Sequence, residues 1–254
     1  MSKERLDILV QRLTGESRSK AQGLIQTGNV FDGAGNCLKK PGLRIDEDTP
    51  LEIKAQQRFV SRGGDKLVAA LEAFSPTLEN KIALDAGAST GGFTDCLLQH
   101  GVAKVYAVDV GYGQLAWSLR QDERVVVMER CNVRHLKAEM LEEAPNFFTA
   151  DCSFISLRTI LPPLANVLHD DAEGIVLIKP QFEAGKAQVG KGGVVRDEAI
   201  RQATVEDVCA TARTLGFTKI DVIPSPLLGP AGNREFLAYL RGRETVVSGD
   251  TTQA

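Results

Sequence analysis

Leu6, Leu9, Val10 and Leu13 stand at i, i+3, i+4 and i+7, one face of a helix, and Gly15 is its stop signal. A second helix is predicted from Ser17 to Gln26, with a capping hydroxyl at Ser17, an apolar face of Ala21, Leu24 and Ile25, and Gly28 beyond its end. Asn29-Val-Phe-Asp, a Gly33-Ala-Gly-Asn turn, Lys39-Lys-Pro-Gly and Leu51-Glu-Ile-Lys then read as short strands joined by turns. The pattern changes after Gly63-Gly64. Leu67, Ala70, Leu71 and Phe74 line one face of a helix, and short apolar strands follow in alternation with helices. The strands are Ile82 to Leu84, Val105 to Val108, Val125 to Met128, Phe147 to Ala150 and Ile175 to Ile178. Helices are expected around Gln114 to Arg120, from Ile155 to Leu168 despite Pro162-Pro163, and from Arg196 to Leu215, closed by Gly216. Thr218 to Ile223 and Glu235 to Leu240 make a final hairpin, and a polar tail after Gly242 reads as disordered. The expected organisation is a small module over residues 1–59, a linker over 56–64, an α/β body over 60–245 and a tail over 246–254.

The body is organised around Ile82-Ala-Leu-Asp-Ala-Gly-Ala-Ser-Thr-Gly-Gly-Phe-Thr, which reads as strand, glycine-rich turn and helix. Open α/β sheets bind nucleotides in such a crevice at a strand's carboxyl end. A dinucleotide site would have Gly-x-Gly-x-x-Gly, but Ser89 takes the second glycine's place and Asp85 precedes the loop, which favours a ligand with a cationic, amino-acid-like end. The next strand ends in Asp109, where an acid can accept hydrogen bonds from both hydroxyls of a ribose. A turn without a ligand is the bland alternative, and it leaves the second acid unexplained. The glycine-rich stretch Gly185 to Gly193 lacks the ending of a P-loop and reads as a mobile loop beside the site.

Composition narrows the classes. No window approaches the ~20 apolar residues of a membrane span, and the start of the chain is amphipathic, so a cytoplasmic protein is expected. Five cysteines without a Cys-x-x-Cys pair and three scattered histidines indicate neither zinc site nor disulfide framework, so no metal is expected. The net charge of -3 conceals a mild asymmetry: through Arg58 there are ten Lys and Arg against eight Asp and Glu, and twenty against twenty-five thereafter. Any grip on RNA should begin in the first quarter.

These motifs carry a resemblance. The glycine loop with its two acids is similar to that of class I S-adenosylmethionine-dependent methyltransferases, a Rossmann-like, mostly parallel sheet with an antiparallel last strand. The resemblance implies S-adenosylmethionine held by Asp85, Gly87, Ser89, Gly91, Gly92, Phe93, Asp109, Asn132 and Asp151. Arg5-Leu-Asp, Ser17-Arg-Ser-Lys-Ala, Gly28-Asn-Val and Lys39-Lys-Pro-Gly, in that order, resemble the small α+β S4 RNA-binding domain, which implies Arg5, Arg18, Lys20, Lys39 and Lys40 as phosphate contacts. For each of these residues a solvated basic face is an equal alternative.

Lys66 falls in the first turn of a helix, an electrostatically poor place for a cation, and Asp151, Lys179 and Glu235 fall at the functional ends of strands. Together they resemble the Lys-Asp-Lys-Glu tetrad of FtsJ-type ribose 2′-O-methyltransferases. Ser61-Arg-Gly-Gly-Asp-Lys-Leu, Ala150-Asp-Cys-Ser-Phe-Ile, Ile178-Lys-Pro-Gln-Phe-Glu and Gly232-Asn-Arg-Glu-Phe extend the likeness to the TlyA, or haemolysin-like, family of rRNA methyltransferases. That family implies ribosomal RNA or ribosomal subunits as partner, cytidine as target and Lys179 as the group on the hydroxyl. It leaves the oligomeric state open.

A ribose hydroxyl is a weak acid and a poor nucleophile, so an enzyme must aim it and help remove its proton. The fourth strand lacks the Pro-Pro that amino-methyltransferases carry, and Cys152 lacks the Pro-Cys setting of pyrimidine C5 enzymes, which favours a packed thiol. Two alternatives are an RNA-binding assembly protein with an inactive methyltransferase fold and a membrane-active haemolysin. Retention of both cofactor acids and all four tetrad residues argues against the first, and the sequence holds no membrane element for the second.

Overall fold

The structure is a computed structural model that describes residues 2–54 and 58–244, so the start of the expected linker and the expected tail lie outside the described residues. The chain forms two compact units, Met1–Arg58 and Phe59–Ala254.

The first unit holds β1 (Lys3–Arg5), α1 (Leu6–Thr14), α2 (Arg18–Gln26), β2 (Val30–Asp32), β3 (Arg44–Asp46) and β4 (Leu51–Ile53). Gly15, at φ 71°, ends α1, and the Ser17 hydroxyl caps α2 by accepting from Lys20 N. Leu6, Val10, Ala21, Leu24, Ile25 and Val30 form one core, whereas Leu13, the last position of the predicted apolar face, is exposed. Two antiparallel pairs, β1 with β3 and β2 with β4, complete the unit. The strands β1 and β3, Lys-Glu-Arg and Arg-Ile-Asp, are mostly charged and have no alternation to reveal them in sequence.

The second unit begins with α3 (Gly63–Phe74), β5 (Ile82–Ala86), α4 (Gly92–Gln99), β6 (Lys104–Val108), α5 (Trp117–Arg120) and β7 (Val125–Met128). It continues with β8 (Phe147–Ala150), α6 (Leu157–Ala165), β9 (Glu173–Ile178), α7 (Pro180–Glu183), α8 (Glu198–Thr214), β10 (Phe217–Pro224) and β11 (Phe236–Arg243). Seven strands form one sheet in the order β10-β11-β9-β8-β5-β6-β7. Strands β5 to β9 run parallel, and β11 and β10 are antiparallel to their neighbours. Two apolar layers cover the sheet. Leu84, Tyr106, Phe148, Ile160, Leu164 and Val208 belong to one; Leu67, Leu71, Leu97, Val105, Phe147 and Leu177 belong to the other.

Helix boundaries differ from the periodicity where side chains or distant backbone intervene. The helix expected from Gln114 starts only at Trp117, because Ala116 N donates to Thr90 O across the glycine loop. Ser156 and Asp197 cap α6 and α8, accepting from Arg158 N and Ala199 N, and so delay both starts relative to Ile155 and Arg196. The stretch Gly185 to Gly193, expected as a mobile loop, contains a 3-10 turn, Lys186–Gln188, and an antiparallel bridge between Gly190 and Val194.

Candidate active site

The strand order reverses between β5 and β8, so the loops after these two neighbours diverge and leave a crevice at their carboxyl ends. Gly87, at φ 83°, turns the first loop back, and a Cβ there would lie 2.9 Å from Asp151 O, so only glycine lets the loops meet. Gly92, expected to contact the ligand and placed on the wall of the crevice, also has a packing role. A Cβ on it would lie 2.2 Å from Ser61 Oγ and 3.0 Å from Gly64 N, which shows it as the packing point of α3 against the start of α4.

Two cavities open from this crevice and share Gly87, Ser89, Asp151 and Ser153 as common wall. The first, of about 400 Å³, contains all four tetrad residues, Lys66, Asp151, Lys179 and Glu235. Lys66 Nζ is 2.5 Å from Glu235 Oε2, with the carboxylate almost wholly buried. This pair supplies the compensation that a lysine in the first turns of α3 lacks locally. Lys179 Nζ is 2.5 Å from Asp151 Oδ1 and donates to Ser153 Oγ at 3.0 Å. Two directions around the nitrogen are thereby held by the loop after β8. Ser153 was not among the residues singled out from sequence; its signal was a hydroxyl two positions after a strand-end acid.

The second cavity, of about 370 Å³, is lined by Asp109 and Asn132 together with Val110, Val133, Ile155 and Ile160. Asp109 Oδ2 accepts from Ser89 N at 2.8 Å and Oδ1 from Gly111 N at 2.6 Å. A carboxylate has about four acceptor sites, so two remain for hydroxyls in the cavity. Asn132 Oδ1 accepts from Arg134 N and caps a 3-10 turn, which fixes its side chain at the rim. A half-buried acid between a glycine loop and aliphatic walls, in a space of this size, fits an adenosine with its ribose toward Asp109. Phe93 and Gly92 line the first cavity rather than the second.

Asp85, expected to touch the ligand, lines neither cavity. It is 0% exposed and accepts from Thr94 Oγ1 at 2.7 Å and Thr149 Oγ1 at 2.8 Å, so it anchors the glycine loop from beneath. Burial pushes its carboxyl up to about 6, against the two threonine hydrogen bonds. Because the folded state then holds the proton more tightly than the unfolded chain, stability should fall as pH rises from about 4 to about 6 and level off above. A shift of about two units corresponds to roughly 3 kcal/mol. Asp85→Asn cannot titrate, and the threonine hydroxyls can rotate to accept from its amide. Urea denaturation between pH 4 and 7 should therefore show the variant gaining roughly 3 kcal/mol relative to the parent; parallel curves would exclude titration of Asp85 in that window.

Cys152 lies on the wall of the second cavity, and burial pushes its thiol up to about 12, the state of a packed thiol and not of a nucleophile. Beside it, Phe154 is 91% exposed at φ 63°, with its ring 5.2 Å from that of Phe182. This places a bare aromatic face at the rim.

In the first unit, Asp7 is wholly buried and accepts from Arg5 Nε and Nη2, Arg18 Nε and Gln22 Nε2 at 2.8 to 3.1 Å. The hydrogen-bonded Arg5 guanidinium above all holds its carboxyl well below the usual carboxylate range. The structure thus brings Arg5 and Arg18 together on one buried acid. The turn after Lys39 and Lys40 adjoins them, with Leu43 O and Pro41 O accepting from Leu6 N and Asp7 N. Lys20 instead pairs with Glu16 at 2.7 Å. Asp7 was missed because two of its three partners, Arg18 and Gln22, are eleven and fifteen residues ahead in sequence.

Residues 59–242 match the FtsJ-like methyltransferase family. The chain is 48% identical over 236 residues, 92% of this chain and 87% of the other, to the Mycobacterium tuberculosis protein named 16S/23S rRNA (cytidine-2′-O)-methyltransferase TlyA. It is 38% identical over 255 residues, with 92% and 98% covered, to the Campylobacter jejuni protein named 23S rRNA (cytidine-2′-O)-methyltransferase TlyA. A solved structure from Streptococcus thermophilus, whose name calls it a haemolysin, superposes with a TM-score of 0.72 at 45% identity, over 96% of this chain and 90% of that one. With a family match over most of its length, and with acids, glycine loop and two lysine–carboxylate pairs around one crevice, the chain belongs to the FtsJ-like methyltransferases, alongside its TlyA-named relatives.

Proposed function

We propose that this chain methylates a ribose 2′-hydroxyl of ribosomal RNA, at a cytidine as in the names of its two TlyA relatives, with S-adenosylmethionine as methyl donor. The observation that carries this is the pairing of Lys66 with Glu235 and of Lys179 with Asp151 inside one cavity that shares a wall with the nucleoside-sized one. When bound, S-adenosylmethionine supplies a methyl group on a positive sulfur, an electrophile that needs only an aligned nucleophile. Lys179, held at Asp151 and Ser153, orients the ribose oxygen and, acting as the neutral amine after giving one proton to solvent, takes up the hydroxyl proton as the oxygen is methylated and becomes an ammonium. Lys66, fixed by Glu235, places a second positive charge where negative charge develops on that oxygen. Phe154 offers the acceptor nucleotide a stacking face at the rim. Ribosomal RNA as substrate supports a reaction in the cytoplasm. No described helix is long and apolar enough to cross a membrane.

The decisive substrate experiment is an RNA that still binds but carries hydrogen in place of the target 2′-hydroxyl. Methylation should cease; a methyl still delivered to that nucleotide would put the acceptor on the base.

The first unit, read as an S4-like module, supplies phosphate contacts through Arg5, Arg18, Lys39 and Lys40, with Lys20 contributing once released from Glu16. Reversing Arg18 to Glu would set a carboxylate against buried Asp7 and destabilise the unit, so exposed Lys39 and Lys40 make the cleaner test. The double change Lys39→Gln and Lys40→Gln should weaken RNA binding several-fold and lower the salt slope by up to about 2, with cofactor affinity intact. An unchanged slope would remove these two residues from the RNA interface.

A further inference from the structure

The glycine-rich segment after α7 lines neither cavity, so neither the cofactor nor the acceptor hydroxyl accounts for it. Its tip is a turn closed by Gly193 N donating to Gly190 O at 3.0 Å, with Gly192 at φ 81°, the value that the third position of a type II turn requires. A Cβ on Gly192 or Gly193 would meet nothing within 4 Å, so glycine serves backbone shape there and leaves the tip bare. The turn is nevertheless pinned. Asn233, 1% exposed, accepts from Val195 N at 3.0 Å and donates to Gly193 O at 2.9 Å. Two residues further on is Glu235, which holds Lys66 in the first cavity, and the same loop walls that cavity with Leu227, Leu228 and Pro230.

Lys186, Lys191 and Arg196 are exposed along this segment, and no acid lies between Glu183 and Asp197. Glu183 is buried and already accepts from Ser156 Oγ and Leu157 N. Among the described residues, neither Lys186 nor Lys191 has an ion-pair partner, and the Lys191 and Gly192 amides have no acceptor. Free ammonium groups and bare amides on a turn strapped to the catalytic loop form a donor surface for a chain of anions. We propose that residues 186–196 grip the sugar-phosphate backbone of the RNA next to the acceptor nucleotide, and that Asn233 holds this grip in register with Glu235. The inference rests on RNA being the substrate. Contacts of this kind position a nucleotide without reading its base, and the segment contains no aromatic side chain for stacking. A turn already ordered by Asn233 loses little freedom on binding, which a loose loop would.

The test uses the full chain with Lys186→Gln and Lys191→Gln, and ribosomal RNA from cells lacking the enzyme as probe. If each lysine meets one phosphate, the plot of log K against log salt should become shallower by about 2, with affinity near 0.15 M salt lower by about tenfold or more. The melting temperature and S-adenosylmethionine affinity should match the parent. Asn233→Ala should also weaken RNA binding although it removes no cation; should it fail to fold, the lysine pair still decides. An unchanged slope and affinity in the lysine pair overturns the grip. So does an effect seen only on vesicles containing phosphatidylglycerol, which would assign the cations to an anionic membrane surface. A parent chain that binds the RNA but fails to methylate ribose in a methyl-transfer assay would instead overturn the proposed function, a reading separate from the binding measurements.

Discussion

Replacing Lys179 with alanine is expected to reduce turnover by ~10²-fold or more, the usual scale for losing a positioned proton-transfer group. The side chain is nearly buried and paired with Asp151 and Ser153, yet it sits in a cavity wall and not in the apolar layers, so folding should survive its loss. Cofactor affinity should also hold, because the residues lining the second cavity do not include Lys179. Arginine is the sharper probe. It keeps the positive charge and can still reach Asp151, but a guanidinium does not release its protons near neutral pH and cannot accept one from a hydroxyl. Single-turnover assays on saturating RNA should find Lys179→Arg as slow as Lys179→Ala. A fully active arginine variant would leave Lys179 an electrostatic role only.

Asp109→Ala should weaken S-adenosylmethionine binding by about 2 to 4 kcal/mol, or roughly 30- to 1000-fold, the scale of losing hydrogen bonds from two hydroxyls to a charged acceptor. The structure adds a second reason. The same carboxylate accepts from Ser89 N and Gly111 N, so alanine also releases the tip of the glycine loop and the segment that follows β6. Asp109→Asn retains one acceptor oxygen and should fall between parent and alanine. Calorimetry that finds unchanged affinity in Asp109→Ala would remove Asp109 from the ribose site.

The alternation of short apolar strands with helices is local information, since a parallel strand buried on both faces must be apolar throughout and a covering helix must repeat with its own period. Those patterns determined the α/β body, the glycine loop after Ile82–Ala86 and the strand-end positions of Asp109, Asp151 and Lys179. Tertiary structure decided what these residues touch. Asp85 is the penultimate residue of β5 and Asp109 directly follows β6, yet one is sealed beneath the loop by Thr94 and Thr149 and the other stands at a cavity. Gly92 is required because α3 packs there, and Lys66 tolerates its helix position because Glu235 arrives from 169 residues away. Asn233 orders a turn 40 residues earlier that reads as a loose loop by itself. Hydrogen bonds and ion pairs of such span depend on which strands become neighbours. Periodicity reports whether a residue faces inward; only the strand order reports what it meets there.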